Sequence, residues 1–99
     1  MKTISIESLV KKLSEGEDLN IIDVREDIEV AQGRIEQSVN IPLGQIPQRL
    51  EELNKDESYY FICRTNNRSG QACEFLEAKG YDVTLIDGGM TEWDSYHNN

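Results

Sequence analysis

The chain has 99 residues, 37% hydrophobic and 29% charged, with 19 acidic and 10 basic side chains giving a formal charge of −9. That is the size and composition of one globular domain, and no apolar run approaches the roughly 18–20 residues needed to cross a bilayer. So acidic a chain repels phosphate backbones and anionic lipid, which excludes nucleic acid and membrane surfaces as expected partners.

The amino terminus, Met1 to Glu7, meets acid early and lacks the apolar core of a secretion signal, so the expected location is the cytosol. Ser5 can cap a helix whose apolar positions are Ile6, Leu9, Val10 and Leu13, with Gly16 after its end. Leu19 to Val24 reads as a strand. A short helical piece follows from about Asp27 to Ala31 and stops before Gly33, and Val39 to Ile41 is a brief strand closed by Pro42. Leu43, Ile46, Leu50 and Leu53 recur at helical spacing, so the pattern predicts a helix there, with Pro47 accommodated in its first turn.

Ser58 to Ile62 is the clearest buried strand, rich in aromatics and ending directly at Cys63. A polar loop leads into a helix carrying Ala72, Cys73, Leu76 and Ala78, which Gly80 terminates. Val83 to Ile86 is the last predicted strand. Gly88-Gly89 then turns the chain into a short helix through Trp93, and the tail from Tyr96 to Asn99 is expected to fray. Strands alternating with helices predict one α/β domain over residues 1–99, built on a mostly parallel sheet covered on both faces. Ligand sites in such sheets lie beyond the carboxyl ends of the strands, where Cys63 falls.

Two cysteines, Cys63 and Cys73, are too few for a disulfide framework, and with a single histidine, His97, no metal or cofactor is expected. The chemistry then falls to a thiol. A free cysteine is only a few per cent thiolate at neutral pH, so a nucleophilic cysteine needs an environment that favours the anion. Cys63 is followed by Arg64-Thr65-Asn66-Asn67-Arg68-Ser69 and a helix start, which bring backbone N–H groups, a helix dipole and two guanidinium groups towards the sulfur. Cys63 is therefore the candidate nucleophile. Cys73 shares an apolar helix face with Ala72 and Leu76 and is expected to be core. Asp23 and Arg25 are expected to be structural, one capping backbone and the other pairing with a carboxylate.

The order of these segments resembles the rhodanese family along nearly the whole chain. Ile21 to Glu26 is similar to its first signature strand, and Gly33-Arg34-Ile35 through Ser38 to Leu43 to its second motif. Cys63 to Ser69 is similar to its active-site loop, and Leu85 to Met90 with Trp93 to its closing motif. The resemblance implies a three-layer, rhodanese-like α/β domain with a five-stranded sheet. It implies a sulfurtransferase in which Cys63 takes sulfane sulfur from thiosulfate or a persulfide donor and passes it to a thiol, to cyanide or to a protein partner.

In that reading the backbone of Arg64, Thr65, Asn66, Asn67 and Arg68, with Ser69, cradles the persulfide, and the two arginines guide an anionic donor. Arg68 is expected to act as a planar two-pronged donor bracing the loop against the helix, and Arg64 to point outward. The family usually has glycine at the position of Asn66, which implies a left-handed backbone there. It commonly has histidine at the position of Arg34. Two alternatives accompany the reading. One is a phosphatase or arsenate reductase of related fold, which usually has five residues between cysteine and arginine where this loop has four. The other is a binding module that keeps the fold without the reaction.

Overall fold

Four apolar stretches become parallel strands, and a fifth strand forms where the sequence pattern is silent. The computed structural model describes residues 1–98. Its strands are β1 (Lys2–Ser5), β2 (Asn20–Asp23), β3 (Val39–Asn40), β4 (Ser58–Ile62) and β5 (Asp82–Asp87). They lie in the order β1-β5-β4-β2-β3, and every neighbouring pair is parallel. Helices α1 (Ile6–Ser14), α2 (Asp27–Val30) and α3 (Asn67–Ala78), with a 3₁₀ segment over Leu43–Glu52, form the connections, and α4 (Gly89–His97) follows β5. The expected five-stranded α/β architecture is the one observed.

Side-chain alternation along the strands sorts the core into two layers. Ile22, Tyr59, Phe61, Val83 and Leu85 face one way and pack with Ala72, Cys73 and Leu76 of α3 and Ile46 of the 3₁₀ segment. Ile21, Ile62 and Ile86 face the other way, against Ile6 and Leu9 of α1 and Met90 of α4. Burying each Ile, Leu or Phe contributes about 1.5–3 kcal/mol. Because β4 alternates, Cys63 falls on the face opposite to that of Ile62, the α3 side of the sheet. Ser5 caps α1 as expected, its hydroxyl accepting from Ser8 N at 3.1 Å, a contact typically worth about 1 kcal/mol.

Three expectations are corrected. Leu43–Glu52 is not an α-helix but two 3₁₀ pieces meeting at Arg49, where φ is −118° and ψ 24°. Pro47 sits inside it, has no N–H for an α-type bond to Leu43, and its ring would crowd that carbonyl. The spacing of the apolar residues still serves, since Ile46 and Leu53 are buried. Second, β1 exists, held by its register on β5 from Lys2 opposite Thr84 to Ser5 opposite Asp87. Third, α4 runs on to His97, two residues into the stretch expected to fray. His97 Nδ1 lies 2.8 Å from the Trp93 carbonyl, and the two rings are in tilted contact with centroids 4.1 Å apart. Asn99 lies outside the described residues.

The strand order also locates a crevice. The chain leaving β2 crosses to β3 on one side, while the chain leaving β4 crosses to β5 on the other. Between these diverging connections, at the carboxyl ends of β2 and β4, the backbone opens a natural site. No helix among the described residues is long and apolar enough to cross a membrane.

Candidate active site

Beyond β4 the chain turns through residues 63–66 and enters α3, and two other elements hold this turn in shape. The first is the amino end of α4. Met90 N donates to the Cys63 carbonyl at 2.8 Å and Thr91 N to that of Arg64 at 3.0 Å. In a trans peptide the N–H points opposite to the C=O, so anchoring these carbonyls on α4 turns the N–H groups of Arg64 and Thr65 the other way. Such close approach requires glycine at 89. Its φ is +59°, and a β-carbon there would stand 2.6 Å from the carbonyl oxygens of both Cys63 and Arg64.

The second support is Asn66. Its Oδ1 accepts from Gly88 N at 2.9 Å, and its Nδ2 donates to Asp87 Oδ1 at 2.7 Å. The left-handed backbone implied for this position is absent. Asn66 has φ −123° and ψ −5°, and no described residue other than glycine has positive φ. Its side chain ties the loop to the β5–α4 turn instead, so asparagine carries no backbone strain here.

Cys63 is 1% exposed. Its sulfur lies 3.3 Å from Ser69 N, which donates to it, and 3.2 Å from Ser69 Oγ. As a thiol it can donate to the Thr65 carbonyl at 3.3 Å. Ser69, fully buried in the first turn of α3, can also donate its hydroxyl to the Asn66 carbonyl at 3.4 Å. A thiol therefore has an acceptor in Thr65, and a thiolate has two donors in Ser69. Swinging one hydroxyl proton from Asn66 to the sulfur converts the first arrangement into the second. The amino end of α3, the positive end of its helix dipole, is aimed at the sulfur through Ser69 N.

The remaining predicted site residues are placed less centrally. Arg68 does not aim at the sulfur. Its guanidinium grips Glu29 of α2 in two-pronged fashion, at 2.5 and 2.9 Å. The two-pronged donation is as expected, but it braces α3 against α2 rather than the loop against the helix. Arg64 points outward, as expected, and reaches Asp94 at 3.3 Å. Asn67, the first residue of α3, turns away to accept from Gln71 Nε2 at 2.7 Å. Thr65 is exposed and contributes its carbonyl. Arg34 donates to the Glu36 and Ser38 carbonyls at 2.9 and 2.8 Å, tying down the turn before β3. Burial pushes the Cys73 thiol up to about 12, so it is inert core as expected.

Sequence reasoning missed Glu29, whose carboxylate has two tasks. It accepts from Glu26 N at 3.0 Å, closing a capping box on the four-residue α2, and it receives Arg68. The Glu26–Glu29 spacing was the available signal. Underneath, Asp23 accepts from Arg25 N, Nε and Nη2 within 3.0 Å, and Arg25 Nη2 also donates to the Gly33 carbonyl at 2.8 Å. This buried pair shapes the loop that presents Glu29. Both residues have the structural roles the sequence suggested.

The Arg68 hydrogen bonds hold the Glu29 carboxyl down at about 2, against an ordinary value near 4.5. Since the folded value lies below the unfolded one, the pair's stabilisation is complete above about pH 4.5 and is lost as pH falls towards 2. The stability gap between wild type and Glu29→Gln in urea unfolding should be constant above pH 5 and close progressively below it. A gap unaffected by acid would contradict the pairing.

A cleft of about 340 Å³ lies at the opposite, amino end of the strands, lined by Asn20, Ile22, Val39, Leu53 and Tyr59 among others. It contains none of the loop residues. Chemistry is located by the thiol and its donors.

Comparison with known proteins agrees with this geometry. A relative in Allochromatium vinosum named sulfurtransferase is 38% identical over 91 residues, covering 91% of this chain and 85% of its own. A Bacillus subtilis protein named provisionally as a sulfurtransferase is 45% identical over 94 residues, covering 95% and 91%. The crystal structure of a rhodanese-like domain protein from Staphylococcus aureus superposes with a TM-score of 0.90 at 42% identity, covering 94% and 91%. The family model of the rhodanese-like domain matches residues 5–96, and the chain belongs to that family.

Proposed function

We propose that this chain acts as a single-domain cytoplasmic sulfurtransferase that carries sulfane sulfur on Cys63. The Cys63 thiolate attacks the outer sulfur of thiosulfate or of a persulfide, the donor's S–S bond breaks, and sulfite or a thiol leaves. An acceptor thiol or cyanide then takes the sulfur and restores the thiolate, a double-displacement cycle. The observation that carries this reading is the buried Cys63 sulfur at the amino end of α3, within 3.3 Å of both Ser69 donors. The inward N–H groups of Arg64 and Thr65 are suited to the added sulfur, and Asn66, Asn67 and Arg68 complete the turn that holds them. Sulfur transfer is also what the names of the relatives in Allochromatium vinosum and Bacillus subtilis state.

An oxyanion-hydrolysing loop would need its arginine over the bound anion. Arg68 is engaged with Glu29 instead, which favours sulfur over phosphate. In steady-state assays, varying donor at several acceptor concentrations should give parallel double-reciprocal lines. Cys63→Ser should abolish turnover while Cys73→Ser retains it. Intersecting lines, or activity surviving without Cys63, would contradict the proposal.

A further inference from the structure

The charges of the molecule are divided between its two ends in a way that bears on the sulfur donor. All five lysines lie at the amino ends of the strands. Lys2 opens β1, Lys11 and Lys12 are in the last turn of α1, and Lys55 and Lys79 lie in the turns leading into β4 and β5. The Cys63 end has Arg64 and Arg68 as the cations of its loop, and both are matched by carboxylates, Asp94 and Glu29.

Two further acids stand on the same rim. Asp87 accepts from Asn66, and the Glu92 side chain folds over Gly88. Among the described residues neither makes an ion pair. The entrance is therefore net negative in a chain that already carries −9. An approaching dianion is repelled, and a cationic surface is attracted.

Building on the persulfide reading, we infer that the donor is an organic persulfide borne by a partner protein with a basic docking face, and that free thiosulfate is a slow donor. The Cys63 thiolate attacks the outer sulfur of the partner's R–S–S–H and forms a new S–S bond. The donor's own S–S bond breaks, and the partner departs as a thiol with the proton, leaving the Cys63 persulfide anion. The transferred sulfur keeps its oxidation state, so no oxidant or reductant is consumed. The paired arginines thus shape the loop and leave donor selection to the acidic rim.

Three donors test this on the full chain. They are thiosulfate and two synthetic peptides with one persulfidated cysteine each, identical except that lysines flank it in one and glutamates in the other. Single-turnover gain of about 32 Da, one sulfur atom, is followed at ionic strengths of about 0.01 and 0.15 M, between which the Debye length falls from about 30 to about 8 Å. At low salt the lysine peptide should load Cys63 about tenfold or more faster than the glutamate peptide. Salt should slow the lysine peptide and speed thiosulfate. The double variant Asp87→Asn, Glu92→Gln should narrow the difference between peptides.

Faster loading by thiosulfate or the glutamate peptide, or a thiosulfate rate that falls with salt, would overturn the inference while leaving Cys63 as carrier. If no donor adds sulfur to Cys63, the carrier reading fails and the inference fails with it.

Discussion

Replacing Asp23 with alanine is expected to lower the unfolding free energy by about 3–5 kcal/mol, the usual cost of removing one partner from a buried ion pair. Arg25 is 1% exposed and Asp23 0%. Without the carboxylate, Arg25 would keep its contacts to the Gly33 and Glu29 carbonyls but lose its only counter-charge within salt-bridge distance among the described residues. Small domains commonly have only about 5–15 kcal/mol in total, so urea unfolding should register a large shift.

If the alanine variant does not fold, Asp23→Leu combined with Arg25→Met supplies the check. Removing both charges together should cost less than removing one. A single-variant loss below about 1 kcal/mol would mean that the pair is not desolvated as its burial indicates.

The second large effect is expected at Gly89, and on activity more than on stability. Alanine there must adopt a left-handed backbone, at about 1–2 kcal/mol. Its β-carbon would also meet the Cys63 and Arg64 carbonyls at 2.6 Å. Relief requires the loop to move off the amino end of α4, breaking the bonds from Met90 and Thr91 that orient it. A displacement of about 1 Å at a reacting group can cost about 100-fold in rate. Single-turnover sulfur loading of Gly89→Ala should fall by that order while circular dichroism shows the fold retained. Near-normal loading would show that α4 does not set the geometry of the loop.

Where the sequence pattern and the structure agree, local physics decides the outcome. Ser58 to Ile62 is rich in aromatics and ends in a β-branched residue, and it forms β4 with those same limits. The Ser5 cap is likewise set by residues three positions apart. That Cys63 would stand at a strand end facing a helix start followed from the same local signals.

The differences arise where distant parts of the chain decide. β1 has one apolar residue, Ile4, and three exposed ones, so pairing with β5 makes it a strand. Leu43 to Leu53 has a spacing that suits α and 3₁₀ helices alike, and the missing N–H of Pro47 selects between them. Asn66 was expected to resemble the glycine it replaces. Its side-chain bonds to Asp87 and Gly88, more than twenty residues away, give it a different backbone and a different task. Arg68 and Glu29 are 39 positions apart, and no local pattern announces their contact. Read from sequence, Arg68 is a free cation beside a thiol; in the fold its charge is already matched.

In the proposed cycle sulfur resides on Cys63. The decisive measurement is to incubate the protein with excess persulfide donor, desalt it, digest it without reductant and locate the added mass. The result predicted is about 32 Da on the peptide containing Cys63 alone, removed quantitatively by dithiothreitol or cyanide. Added mass on Cys73, or none on Cys63 under conditions in which sulfur is transferred, would contradict it.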